Sequence, residues 1–407
     1  MGSDQEVPIS KITDIIIGGT PKTNVKEYWG GNIKWASAKD ISNCNGRYIY
    51  ETEKTITQEG LENSAAKLLP KNTIVITSRG TVGEMRLLPF PMSFNQTCYG
   101  LITKEEVDAL FLFYKLKTLL GKINSLSYGT VFDTITKKTF DDLRIVLPPF
   151  PEQKKIASIL GTLDDKIELN YEMNKTLEKI AQAIFKSWFV DFEPFQDEEF
   201  EYNEELGMEI PKGWEVKPID EIADFLNGLA LQKYPPKDKN YLPVIKIREM
   251  RQGITESSDR ASPDIDKRYI VVDGDILFSW SGSLEVCIWC GGKGALNQHL
   301  FKVTSQTYPK WFYYLWIKFH LPKFQHIAKG KATTMGHIRR HHLSETYVLI
   351  PPKDIIEKMD KIMTPIIENI INNNIESRQL ANLRDTLLPK LLSGEIRVNV
   401  DDGGSKE

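Results

Sequence analysis

Cysteine is scarce in this chain, with four among 407 residues. So few thiols do not form a disulfide framework, and their use fits a reducing cytoplasm. Long apolar runs are missing as well: nothing approaches the ~18 residues needed to cross a bilayer. The opening MGSDQEVPIS has no basic segment followed by an apolar core, so no signal peptide is expected. Catalytic signatures are equally sparse. There is no Walker A sequence, no S-adenosylmethionine glycine motif, no carboxylate–lysine nuclease constellation and no Ser/His/Asp triad. These absences describe a reader better than a catalyst.

Positive charge is also in deficit, at −3 net, which at first argues against a nucleic-acid partner. The deficit is local. Residues 191–209 carry nine acids (Asp191, Glu193, Asp197, Glu198, Glu199, Glu201, Glu204, Glu205, Glu209) and no Lys or Arg. Setting that segment aside leaves 52 basic against 46 acidic residues. Local basic surfaces, which decide DNA affinity, remain possible.

What the chain does have is two long heptad-patterned stretches. In residues 151–191, Ile156, Leu163, Asn170, Leu177 and Ile184 recur every seven, beside Leu160, Ile167, Asn174, Ala181 and Trp188. Near the C-terminus Met359, Ile366, Asn373, Leu380 and Leu387 keep the same beat, with Ile362, Met363, Ile370, Leu383 and Leu391 alongside. Such rows make an apolar stripe on a helix. An Asn near the middle of each stripe suggests two helices that pair, since a buried Asn fixes register at some cost in stability. Asn170 and Asn373 are the expected register pair. Thr162 and Pro365 look like helix starts, so each helix is expected to break or kink at Gly161-Thr162 and Thr364-Pro365.

The chain also repeats itself. LPKNTIVITSRGTVGEM (69–85) and FNQTCYGLIT (94–103) correspond to VVDGDILFSWSGSLEV (271–286) and LNQHLFKVT (296–304). GTVFDTITKKTFDDLRIVLPP (129–149) matches KATTMGHIRRHHLSETYVLIPP (331–352). Gly80/Gly282, Asn95/Asn297 and Pro148/Pro351 lie 202 or 203 residues apart. Strands are expected at NTIVIT and DILFSW, helices over 107–123 and 309–327, and a last strand at LRIVLPP and YVLIPP. The fold class is therefore α+β: two similar mixed α/β domains separated by two long helices packed as an antiparallel coiled coil. The expected boundaries are a first domain at 1–150, its helix at 151–191, an acidic solvated linker at 192–215 with Phe195, Phe200 and Tyr202 expected to pin parts of it to the protein surface, a second domain at 216–352, its helix at 353–396 and a tail at 397–407.

Single motifs carry little. LPPF (147–150) misses the amine-binding residue of the amino-methyltransferase N/D/S-P-P-Y/F motif. Cys287-Ile-Trp-Cys290 has no second pair at zinc-ribbon distance. His337, His341 and His342 in GHIRRHH sit beside Arg339 and Arg340, a pattern that suits a nucleic-acid surface better than a metal site, although a solvated helix face stays open. No metal is expected. The basic candidates for DNA contact are Lys39, Arg79, Lys137 and Lys138 in the first half. In the second they are Lys246, Arg248, Arg251, Lys331, Arg339 and Arg340. No residue is proposed as catalytic.

The ordered set GGTPK (18–22), GGNIKWASAKDI (30–41), ITQEGLENSAAKLLP (56–70), SRGTVG (78–83), FNQ (94–96) and LPPFPEQKKIASIL (147–160) resembles the DNA-specificity domain of Type I restriction–modification systems. The second half is similar through IPKGWEV, VIKIREM, Asn297-Gln298, LIPP and LLSGEI, but has Lys353-Asp354 in place of a Glu-Gln after the prolines. The resemblance implies a specificity subunit with two target-recognition domains that reads a bipartite double-stranded DNA target. It implies two methyltransferase (modification) subunits and two restriction/translocase subunits as partners, with no membrane. S-adenosylmethionine and ATP/Mg would sit on those partners, leaving this chain without a cofactor. The alternative is a self-contained DNA methyltransferase or nuclease with unrecognised motifs.

Overall fold

The computed structural model describes residues 6–126, 134–330 and 336–399. The chain forms two compact units, one of residues 1–168 with 380–407, the other of residues 169–379. Two helices, Phe150–Phe189 and Lys353–Ser393, each contribute to both units.

The repeat is visible strand by strand. In the first unit a four-stranded antiparallel sheet runs in the order Thr13–Ile17, Cys98–Thr103, Ile74–Thr77, Met85–Leu87. The second unit has Asp224–Asn227, Leu300–Thr304, Ile276–Ser279, Val286–Ile288 in the same order. Each unit adds a second sheet with one parallel pair, Trp29–Ala36 with Ser93–Phe94 and Leu242–Ile245 with Gly294–Leu296. A short antiparallel ribbon closes each module just before its prolines, Glu6–Pro8 on Arg144–Val146 and Glu215–Pro218 on Tyr347–Ile350. IVIT and ILFS are strands because their β-branched and aromatic side chains are buried on both faces, between the sheet's two coverings. Helices Ala109–Leu126 and Lys310–Lys329 supply one covering, burying Phe111, Leu112, Tyr114 and Leu116 in the first unit. In the second, Trp311 through Ile317 are all buried.

The long helices pair antiparallel within each unit. In the first, Arg384 Nη1 donates to Asp164 Oδ1 at 2.5 Å. In the second, Asn170 reaches Asn373 to Ser377, Asn174 reaches Ile370 and Asn374, and the Lys358 ammonium lies 5.0 Å from the Trp188 ring centre. The buried row on the later helix is Met359, Met363, Ile367 and Ile370, whereas Ile362 and Leu383 of the sequence-derived rows face solvent. A straight α-helix drifts about 20° per heptad from a strict seven-residue repeat, so a contact stripe moves across the rows.

Neither helix breaks where the sequence predicts it. Thr162 Oγ1 donates back to Ser158 O at 2.8 Å, and Thr364 Oγ1 to Asp360 Oδ1 at 2.5 Å, so both hydroxyls are used inside the helix instead of capping a new one. Gly161 marks close packing: a Cβ there would lie 3.0 Å from Leu110 Cδ2 and 3.2 Å from Arg47 Nη1. Pro365 forfeits one helical hydrogen bond, a cost of ~3 kcal/mol at most positions. Burial of four large side chains around it, at ~1.5–3 kcal/mol each, outweighs that loss.

The acidic segment is pinned to the second unit at Phe195, but not at Phe200 or Tyr202. Phe200–Asn203 and Met208–Pro211 form a hairpin. Phe192, Phe195, Ile210 and Trp214 are buried in the core of the second unit, while Phe200 and Tyr202 stay exposed. The acids occupy its outward face. Arginines tie each module to the helices. Buried Arg47 donates to Gly161 O at 2.9 Å and pairs with Asp165 and Glu168. Arg378 holds Asp273 through two 2.7 Å bonds and keeps its carboxyl below the usual range.

Candidate nucleic-acid interface

At one edge of the first unit, four loops are stitched together by backbone bonds. Asn95 N donates to Ala36 O (3.0 Å), Ser78 N to Thr97 O (2.8 Å) and Ile135 N to Ser78 O (3.0 Å), while Thr97 N bonds Asn95 Oδ1 (3.2 Å). The second unit repeats all four. Asn297 N donates to Ile245 O (3.2 Å), Trp280 N to His299 O (3.3 Å) and Ile338 N to Trp280 O (2.9 Å), and His299 N bonds Asn297 Oδ1 (3.2 Å). The turns at Gly80 and Gly282 adopt φ of +80° and +70°, which a side chain would resist. Asn95 and Asn297 are thus frame residues whose carboxamides hold a turn. The tips around them differ between units, with Ser78 and Thr97 in one and Trp280 and His299 in the other.

The first unit gathers its basic candidates at this edge. Lys39 lies on the short helix Ala38–Asn43, whose cap Ser37 accepts from Asp40 N. That helix touches the Ser78–Gly83 loop through the Ser42 and Thr81 hydroxyls. Arg79 is in the loop itself, and Lys137 and Lys138 open the helix Lys137–Asp142 just beyond Ile135. Arg79, Lys137 and Lys138 are exposed, with no side-chain hydrogen bond or ion pair among the described residues. Lys39 pairs with Glu53 at 3.2 Å.

In the second unit the candidates divide. Arg339 and Arg340 are exposed beside Trp280, and among the described residues Arg340 Nη2 reaches only the Phe225 carbonyl, at 3.4 Å. Lys246, Arg248 and Arg251 are all engaged by carboxylates. Lys246 pairs with Asp259 and holds that carboxyl below its usual range, and Arg251 pairs with Glu285. Arg248 balances the buried Glu249, which also accepts from Lys246 N (3.1 Å) and Ser258 Oγ (3.0 Å). Free cations can exchange water for phosphate at small cost; these three would first have to leave a partner. Lys331 lies outside the described residues. The register pair meets in the second unit: Asn170 Nδ2 donates to Asn373 O (3.3 Å), Glu376 Oε2 (2.8 Å) and Ser377 Oγ (3.2 Å). The Asn373 amide itself goes to Asn174 Oδ1, at 2.9 Å.

Among the described residues no three His, Cys, Asp or Glu side chains converge on a metal-sized position, and no helix is long and apolar enough to cross a membrane. Burial pushes the Cys287 and Cys290 thiols up, opposite to what a thiolate ligand requires. His337 and His341 do not share a helix face, because the helix begins only at Arg340 and His337 bridges to Ser281.

Residues 4–179 and 211–382 both match the family model of the Type I restriction modification DNA specificity domain. The chain belongs to that family. As a specificity subunit it is the non-catalytic member of a Type I system. It is 36% identical over 403 residues to the Type I restriction enzyme MjaIX specificity subunit of Methanocaldococcus jannaschii, covering 96% of this chain and 93% of that one. The HindI specificity subunit of Haemophilus influenzae is 27% identical over 363 residues, covering 72% and 78%. The crystal structure of a Type-I restriction-modification system S subunit from M. genitalium shares the fold, with a TM-score of 0.59, 17% identity and coverage of 95% and 96%.

Several edge residues of this specificity subunit escape a search for Lys and Arg. Thr20 bonds Gln96, and Trp280 Nε1 donates to Asn227 Oδ1 (2.8 Å) and Gln298 O (3.1 Å). Ser281 Oγ bonds His299 Nδ1 at 2.9 Å. The signal that could have found them is positional. Trp280, Ser281 and His299 sit next to repeat anchors at positions where the first half has Ser78, Arg79 and Thr97.

Proposed function

We propose that this chain reads a bipartite double-stranded DNA target, one part with each unit, and presents it to a methyltransferase. The observation that carries the proposal is the duplicated edge. Four equivalent backbone bonds in each unit hold the same loops, while the side chains at their tips differ and the exposed cations Arg79, Lys137, Lys138, Arg339 and Arg340 stand among them. A conserved frame with divergent tips suits two readings of different base sequences, with phosphate contacts for position and the tips for specificity. The helices offer docking surfaces for two methyltransferase subunits and, in the complete enzyme, two restriction/translocase subunits. S-adenosylmethionine and ATP/Mg belong to those partners.

The test is co-expression with the cognate methyltransferase subunit, followed by sequencing of modified adenines. Modification at a two-part motif that disappears when this chain is omitted is the expected result. Methyl transfer, DNA cleavage or ATP turnover by the rigorously purified chain alone would favour a self-contained enzyme instead.

A further inference from the structure

At the reading edge of the second unit lies a cleft of about 260 Å³ lined by Asn227, Trp280, Phe301, His337, Ile338, Arg339 and Arg340. Its floor is apolar, formed by the buried Phe301 and Ile338, and its wall is the indole of Trp280. The indole is fixed, since its N–H is spent on Asn227 and Gln298 and its ring centre lies 6.2 Å from that of Phe301. The opposite side is held by Ile338 N to Trp280 O at 2.9 Å and Gly282 N to Gly336 O at 2.8 Å. The slot is therefore preformed. Its rim is cationic, carried by Arg339 and Arg340. The first unit has Ser78 at the place of Trp280, where it makes the equivalent backbone bond to Thr97.

We propose that this slot receives one unstacked nucleobase from the half-site read by the second unit, stacked on Trp280, with its phosphate against Arg339 and Arg340. The proposal rests on the DNA-reading function above and deepens it. The space is far larger than a methyl group requires and suits a single aromatic ring system. A fixed aromatic face beside arginines is the chemistry that holds a base and its backbone together. An indole whose N–H is already satisfied offers stacking and no hydrogen-bond readout, so the slot accepts a base by its face. The edge of that base would be left to Asn227.

Extrusion of a base costs its pairing and stacking, and the cost falls at a mismatch. The experiment therefore uses the full chain with its methyltransferase partner, and binding to its target with single mismatches placed through both half-sites. Ordinary mismatches should weaken binding, typically about 5- to 150-fold. At one pair of the second half-site a mismatch should instead tighten it severalfold. Trp280→Ala should abolish that gain and weaken the matched site by about tenfold or more, while Trp280→Phe keeps most of both. Any tightening at the pair whose base the methyltransferase itself extrudes should survive Trp280→Ala. Unaltered discrimination at the other pairs of the second half-site shows that the second unit of the variant is folded. If every second-half-site mismatch weakens binding, or if the gain outlives Trp280→Ala, the slot holds no base. Loss of sequence-selective binding by the wild-type complex would overturn the DNA-reading function itself.

Discussion

Asn170 offers a quantitative probe of the helix pair. Its side chain is fully buried, its Nδ2 has three acceptors, and its Oδ1 has no partner among the described residues. Asn170→Leu removes the bond to the Glu376 carboxylate, about 1.5–3 kcal/mol, but also removes a buried unpartnered oxygen, which returns about 1–3 kcal/mol. Asn373 O keeps its bond from Ser377 Oγ at 2.7 Å, so it is not orphaned. Added apolar burial contributes roughly 1 kcal/mol more. The net change should lie between about 1 kcal/mol of destabilisation and about 2.5 kcal/mol of stabilisation. Asn170→Asp is nearly isosteric, yet it sets a fully buried carboxylate against Glu376 and deletes the donor. An uncompensated buried charge of this kind costs about 3–5 kcal/mol. The penalty should shrink as pH falls, because one of two facing carboxyls then takes up a proton. Urea unfolding followed by tryptophan fluorescence suits the question, since six of the eight tryptophans lie in the second unit. Equal destabilisation by Leu and Asp would refute the reasoning and show that the amide contributes only by its shape.

Three further outcomes are expected. His320 is held down at about 4, first by burial and then by the Lys323 charge, so an unfolded chain binds the proton more readily between pH 6.5 and 4. Stability of the second unit should therefore be full above pH 6.5 and fall by on the order of 3 kcal/mol as pH drops to 4; His320→Phe should flatten that slope in pH-dependent melts. Pro365→Ala should stabilise the chain by up to ~3 kcal/mol, because the helix is continuous and regains a hydrogen bond, whereas a true helix start would be weakened. Arg339→Ala with Arg340→Ala should weaken DNA binding across all sequences and reduce the salt slope by about one per phosphate contact, measured by titration at several salt concentrations. An unchanged slope would return these arginines to a solvated surface.

Much of this architecture was legible in the chain itself, because periodicity and repetition are properties of order along a sequence. The 202- or 203-residue offset carried the duplication, and each anchor at that offset occupies an equivalent backbone position. Gly80 and Gly282 share a turn, while Asn95 and Asn297 share a frame bond. The seven-residue beat carried the two helices and placed Asn170 near Asn373. Local rules failed where packing overrode them. Thr162 and Pro365 are good helix starts in isolation, but cores on both sides kept the helices whole. Phe192, Phe195 and Trp214 sit among acids in the sequence and in the hydrophobic core of the fold.

The reading edge shows the same division. Sequence can count cations but cannot say which of them a carboxylate already holds. Lys246 and Arg251 lose their freedom to Asp259 and Glu285, partners that only the folded chain brings near, and Arg248 to its neighbour Glu249, which the fold buries. Trp280 carries no charge and belongs to no motif. It acquires meaning only when Phe301, Ile338 and two arginines from distant segments close around it. The sequence alone determined the repeat, the helices and the family, because those depend on spacing along one dimension. The tertiary structure decided which side chains are free, paired or enclosed, because that depends on neighbours far apart in the chain.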